Sequence, residues 1–434
     1  MKIIYIATGA ANMYCGSCMR DNTLAAAMKA QGHDVTLIPL YTPMRLDEED
    51  VGERRIFYGG IEAYLHQRFP RPSLGRDVLL RLSSAQGLLR MMPRFDMGSA
   101  VDPVKNAELT LSMLRGENGH QNELLKELVS WLATAVRPDL IHVTNTLISG
   151  IVPALKQALK VPIICGLHGE DIFLDGLPEP YRAEALALIC QNAASIDHFI
   201  AISQYYADVF PPRVGLDPTR ISLVRPGIAL DDYEGQPRQT LGQPPTIGYL
   251  ARISPEKGLH LLVDAFIRLC QAGDIPGLRL KIAGYLSRAN SAYTKTIFKQ
   301  ISRAKLEDRV EMLGTVDRVQ KRAFYRSLDV FAVPTIYKDP KGLPVLEALA
   351  NGVPVVQPDH GAFTELVHLT HGGLLHRPED PSDLAAKLAT MLQDHGLRVE
   401  LACQGYQSVR KDFSAGRMAR DTIQVYQRLI GDLA

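Results

Sequence analysis

Two acids and two cations stand in, or one helical turn beyond, loops that follow apolar runs, and their types suggest what they handle. Arg252 and Lys257 flank a turn in GYLARISPEKGLHLLVDAF (248–266), just before a helix predicted from Gly258. Two cations beside a helix N-terminus can seat a phosphate or pyrophosphate, because their donors and the unsatisfied backbone N–H groups all address negative charge. The plainer alternative is two solvated surface charges. Asp339 and Glu347 lie eight residues apart in DPKGLPVLEALANGVPVV (339–356). Between them Gly342 permits a tight turn, Leu343 follows, and Pro344 suits a first helical turn. An acid there can accept hydrogen bonds from paired hydroxyls, or it can simply complement the helix dipole. Glu347 sits between Leu346 and Ala348 in a helix with few polar residues, so it is expected to face a site rather than water. Three further signals fall in the same half of the chain: Gly248 in the run before Arg252, Gly284 closing KIAG, and Gly361 with Thr364 in PDHGAFTELV (358–367). Glycine lets backbone approach a ligand closely.

The first half of the chain offers another cluster. CGLHGEDIF (165–173) places His168, Glu170 and Asp171 directly after an apolar strand. A lone histidine is usually structural, but the carboxyl end of a strand in an α/β sheet is where such folds bind ligands. Gly9, in TGAANM (8–13), suits a tight turn after the first strand and lacks the glycine pattern of a dinucleotide fingerprint. Gly59 and Gly60 can mark another rim loop. Cys15 and Cys18 have C-x-x-C spacing, which suits zinc, a redox pair or an iron–sulfur ligand set. Two cysteines do not complete a zinc site, although Cys165 ends a strand that can approach them. Reduced packing cysteines and no metal are the favoured reading.

Strand and helix signals alternate along both halves. Predicted strands are 3–7, 35–40, 140–143, 163–167, 198–201 and 221–224, then 246–249, 278–283, 310–312, 330–333 and 353–356. Helices are predicted at 22–31, 122–135, 149–159, 180–193 and 203–209, then 258–269, 292–305, 319–327, 343–350, 381–392, 399–410 and 416–429. Apolar strands separated by helices argue for parallel sheets covered on both faces. The polar, Pro- and Gly-rich EGQPRQTLGQPP (234–245) reads as a linker. With 434 residues, two domains are expected. Composition is that of a globular chain, 46% apolar and 22% charged, and a net charge of +1 demands no polyanion, so no nucleic-acid partner is expected. Six cysteines do not make a disulfide scaffold. The N-terminal apolar run is too short for a targeting segment, and no stretch is long enough to span a bilayer, so a cytoplasmic protein is expected.

Residues 41–119 break the rhythm. Between Arg54 and Arg94 stand eight arginines against two acids, and Val78, Leu82, Ala85, Leu89 and Met92 share one helical face. A basic amphipathic helix can lie on an anionic membrane or seat an anionic substrate. A docked helix with a solvated polar face is the favoured alternative.

In order and spacing, the Arg252–Lys257 pair, the Gly–Leu–Pro turn before EALANGVPVV, the trailing GGLLHRPEDPSDLAAKLATML (372–392) and the opening loop resemble retaining GT-B glycosyltransferases of family 4, the glycosyl transferases group 1. The likeness covers almost the whole chain. It implies two doubly wound Rossmann-like α/β domains facing a cleft: an acceptor-side domain over 1–235 with a helical insertion at 41–119, a nucleotide-sugar domain over 246–410, and a final helix, 411–434, packing back on the first. It implies transfer of a hexose from a nucleotide-diphosphate sugar to the hydroxyl of a sugar, lipid-linked or small-molecule acceptor, with no required cofactor. Arg252 and Lys257 would contact the diphosphate, Glu347 the ribose, and Asp339 and His168 the transferred sugar. Gly9, Gly248, Gly284, Gly342, Leu343, Pro344, Gly361 and Thr364 would line the donor, and Asn12, Gly59, Gly60, Glu170 and Asp171 the acceptor side. Asp339 stands where the family has Glu, one methylene longer. Another GT-B-like enzyme, such as an epimerase or a phosphorylase, and a non-catalytic nucleotide-sugar binder are the alternatives. Peripheral contact with the inner face of the membrane through residues 54–94 is a further expectation.

Overall fold

Alternate residues of the first strand point to opposite faces, and both faces are apolar. In β1 (Lys2–Ala7), Ile3, Tyr5 and Ala7 join Leu24, Met28, Met418 and Tyr426 in one core, while Ile4 and Ile6 join Leu128, Val143 and Leu155 in another. A strand buried on both sides belongs inside a parallel sheet clothed by helices. The computed structural model describes residues 1–9, 15–44, 46–53, 57, 103–104, 106–233 and 235–431.

The chain divides into two compact units, Met1–Arg225 with Met418–Ala434, and Pro226–Arg417. In unit 1, β1, β2 (Asp34–Pro39), β3 (Leu140–Val143), β4 (Ile163–Leu167), β5 (His198–Ala201) and β6 (Ile221–Leu223) form a parallel sheet in the order β2-β1-β3-β4-β5-β6. In unit 2, β7 (Thr246–Leu250), β8 (Arg279–Ala283), β9 (Val310–Gly314), β10 (Val330–Phe331), β11 (Val355–Pro358) and β12 (Gly373–His376) form a second parallel sheet in the order β12-β11-β10-β7-β8-β9. Both orders reverse beside the first strand of their unit, the doubly wound pattern that places ligands at strand carboxyl ends. The last helix, Ala415–Gly431, lays Met418, Ala419, Ile423 and Tyr426 into the core on the Tyr5 face of unit 1.

Three expectations are corrected. The first helix runs Gly16–Ala30 and starts before the predicted 22, because its polar residues are buried and paired: Tyr5 donates to Asp21 at 2.7 Å and Asn22 to the Glu49 carbonyl at 2.9 Å. The sequence reading places no strand at β12, whose Gly-Leu-Leu-His lacks β-branched residues. Most consequentially, the stretch read as a linker is fastened to unit 2 over its described residues 235–245. The unit boundary falls earlier, at Arg225, and the described residues from 235 onward belong to unit 2. Asp329, fully buried before β10, accepts the Gly242 N–H at 2.7 Å and the Thr246 N–H at 2.8 Å, so one carboxylate fastens this strap to the sheet.

Asp329→Ala strands two backbone donors. We expect a loss of about 3 kcal/mol in urea unfolding and new protease cleavage within 235–245, read by mass spectrometry.

Candidate active site

Asp339 draws the unit 2 constellation together. Its Oδ2 accepts from Lys257 Nζ at 2.6 Å, across 82 residues of chain. Its Oδ1 accepts the N–H groups of Lys341 at 2.9 Å and Gly342 at 3.2 Å, closing an Asx turn at the N-terminus of the helix Leu343–Ala350. Its carbonyl accepts the Ala362 N–H at 2.8 Å, which ties in the Gly361 loop. Gly342 has φ of +66°, and a Cβ there would lie 2.3 Å from Leu366 Cδ1, so both conformation and space require glycine. Burial alone would raise the Asp339 carboxyl, but the charges of Lys257 and Lys341 and the hydrogen bonds outweigh it and hold the group well below the usual carboxylate range. An ammonium has three donors, so Lys257 keeps N–H capacity beyond Asp339. The shorter Asp, at the position where Glu is expected, is what reaches back to the following N–H groups.

Arg252 pairs with Glu256 at 2.6 Å, half-exposed, one turn along. Glu256 is a partner the sequence reading missed, although its i,i+4 spacing is legible. The Glu256 carbonyl accepts the N–H groups of Ile336 and Tyr337, joining the Arg252–Lys257 loop to the chain that follows β10. At the N-terminus of the helix Leu259–Ala272 one backbone donor is already taken. Tyr293 accepts the His260 N–H at 3.1 Å.

Glu347 does not face water, and its carboxylate is held within unit 2. Lys321 reaches Oε1 at 2.5 Å and Tyr325 donates to Oε2 at 3.0 Å, and all three are buried. Sequence reading missed Lys321, whose signal is its place with Phe324, Tyr325 and Leu328 on one apolar helical stripe. Thr364 donates to Asp359 at 2.8 Å. Gly284 closes β8 against the Ala251 carbonyl. Gly248 is placed for packing: a Cβ there would lie 2.0 Å from Leu328 Cδ1, so the bare Cα serves the core rather than a ligand.

In unit 1, His168 follows β4 and is buried. Its N–H donates to Glu170 Oε2 at 2.7 Å. Glu170 also accepts from the N–H and hydroxyl of Thr146 and from Tyr206, so it is an internal clamp rather than an acceptor-side group. Burial raises its carboxyl, and those hydrogen bonds work against the rise. Asp171 opens the short helix Asp171–Asp175, its N–H on Tyr206. Gly9 follows β1 against the Thr42 backbone. Asn12, Gly59 and Gly60 lie outside the described residues, as does the Arg-rich stretch apart from Phe57. All six cysteines are thiols, and Cys165 is sealed inside β4, where burial pushes its thiol well up. Among the described residues no three His, Cys, Asp or Glu side chains are grouped to hold a metal, so Cys165 does not complete a set with Cys15 and Cys18.

Two outcomes are expected. Asp339→Asn keeps an acceptor for the turn but loses the charge pair. A depressed carboxyl stabilises fully above its unfolded value and loses that stabilisation as pH falls through the lower folded one. The variant should therefore be about 1–3 kcal/mol less stable than wild type near neutrality, with the gap closing below about pH 4, as read by urea melts across pH. Lys321→Met leaves a buried carboxylate unpaired and should cost about 3–5 kcal/mol, while Lys321→Met with Glu347→Leu should cost less than the single change.

Residues 101–232 match Glycosyltransferase Family 4, and residues 234–408 match Glycosyl transferases group 1. The chain is 31% identical over 308 residues to D-inositol 3-phosphate glycosyltransferase of Corynebacterium efficiens, covering 66% of this chain and 70% of that one. It is 26% identical over 296 residues to glycogen synthase of Mycobacterium tuberculosis, covering 67% and 69%. Its fold is similar to Anabaena HepE in complex with UDP, with a TM-score of 0.68 at 20% identity over 99% of this chain and 100% of that one. Two doubly wound parallel sheets and both halves of the family signature lead to one conclusion: the chain belongs to the GT-B glycosyltransferases of family 4 and is a glycosyltransferase.

Proposed function

We propose that the protein is a retaining hexosyltransferase that moves a sugar from a nucleotide-diphosphate sugar to an acceptor hydroxyl. The observation that carries this reading is the convergence, within unit 2, of Lys257, the Asp339 turn and the N-terminus of the helix Leu343–Ala350. A diphosphate finds there an ammonium and the positive end of a helix. Arg252, paired with Glu256, stands five residues before Lys257 in the same loop.

In the reaction the bond between the anomeric carbon and the diphosphate oxygen breaks. The acceptor oxygen bonds to that carbon on the same face, and its proton passes to the departing diphosphate. Charge develops on the leaving phosphates, where Lys257 and Arg252 stabilise it. Glu347, steadied by Lys321 and Tyr325, is the group for the ribose. Protein cations and helix dipole take the neutralising role that a metal plays elsewhere. Solved relatives hold UDP and UDP-glucose in HepE and ADP in a starch synthase, which supports a uridine or adenosine donor as the first probe. The basic stretch 54–94 favours a phosphorylated or lipid-linked acceptor at a membrane surface. No helix among the described residues is long and apolar enough to cross a membrane.

The test is chromatographic release of nucleoside diphosphate from UDP-, GDP- and ADP-glucose, by wild type and Lys257→Ala. One donor should be consumed, with kcat/KM falling at least about 100-fold in the variant. Unchanged consumption by Lys257→Ala would remove the phosphate seat from the reading.

A further inference from the structure

The segment between β10 and the helix Leu343–Ala350 presents Asp339, and the loop after β11 grips that segment in two places. At its start, Nε2 of the half-buried His360 lies 2.9 Å from the Thr335 carbonyl oxygen. Four residues on, the Ala362 N–H donates to the Asp339 carbonyl at 2.8 Å. Between these two holds stands Gly361, with φ of +61° and so close that a Cβ would lie 2.8 Å from the Asp339 carbonyl oxygen. From the other side the Glu256 carbonyl accepts the N–H groups of Ile336 and Tyr337. A carbonyl oxygen only accepts, so the His360 nitrogen that faces Thr335 carries the proton. Burial, with Lys338 acting in the same sense, holds the imidazole below its ordinary value, so the ring is neutral near pH 7 and Nδ1 is the bare nitrogen.

We propose that His360 is a positioning residue of unit 2, whose Nε2–H on the Thr335 carbonyl braces the segment 335–339 and holds Asp339 where it meets Lys257. The Asp339 carboxylate has little latitude, since it must reach Lys257 at 2.6 Å and the N–H groups of Lys341 and Gly342 at once. Released at Thr335, the segment keeps the Ala362 bond at its far end but loses the hold that fixes its direction. A displacement of about 1 Å is enough to weaken a site that works by placing charge. An apolar side chain at 360 could fill the same space, but it could not fix the carbonyl. The inference rests on the proposed donor seat for its link to binding, and its first two measurements need no donor.

The tautomer is read from imidazole ¹⁵N shifts in ¹⁵N-histidine protein, with His360 assigned by the signal lost in His360→Gln. Wild type should show protonated Nε2 and unprotonated Nδ1 near neutrality, and the reverse tautomer overturns the inference. The hold on Asp339 is read from urea melts of His360→Ala, Asp339→Asn and the double variant. If His360 acts through Asp339, the double variant should lose less than the sum of the two single losses, and simple additivity overturns the inference. Donor binding is then read by calorimetry with whichever of UDP-, GDP- and ADP-glucose the wild type binds. His360→Ala should raise Kd about tenfold. His360→Gln, whose amide N–H can stand in for Nε2–H, should bring it back to within about threefold of wild type. Equal weakening in the Ala and Gln variants would mark His360 as a space-filler and contradict the proposal. Should Lys257→Ala bind the donor like wild type, or wild type bind none of the three, the donor seat fails. The tautomer and the melts then judge the hold on Asp339 by themselves.

Discussion

The unit 2 site depends on one ion pair, Lys257 with Asp339. It ties the loop after β7 to the loop after β10, and the same carboxylate closes the turn that starts the helix Leu343–Ala350. Neither partner could be replaced alone without leaving a charge three-quarters or more out of water and unanswered. The pair also keeps a cation beside a helix N-terminus, so on the proposed reading a donor would meet charge already arranged, with little to reorganise.

The two units solve the same difficulty, charge inside an apolar scaffold, in parallel ways. In unit 2 Lys321 enters the core on the apolar stripe of its helix and meets Glu347 beneath the turn. In unit 1 Arg20 and Asp21 enter on the first helix and meet Tyr5 and Thr144 beneath His168. Each network stands at the carboxyl end of a parallel sheet, where strand order reverses and helices open. The apolar cores above and below tolerate these charges because every acid in them is paired.

Much of the fold was legible because it is written in local pattern. β3, β4 and β5 and the helix Leu343–Ala350 fall where mostly apolar runs end in turn residues. The Gly342 turn, Lys257 and Asp339 were legible as candidates, but their contact was not, since nothing local joins residues 82 apart. Lys321 and Asp21 were hidden for the same reason. A charged residue within an apolar helical face looks like an imperfection of the pattern until its partner is seen. The strap before β7 misled because Pro, Gly and polar residues mark a loop without saying whether a buried acid such as Asp329 fastens it.

The most direct measurement is calorimetric titration of the full chain with UDP-, GDP- and ADP-glucose, each with magnesium and with a chelator. A seat built from Lys257, Arg252 and a helix N-terminus predicts micromolar binding of one of these donors, unchanged by removal of the metal. Absence of binding across all three, or binding that vanishes with the chelator, would contradict it.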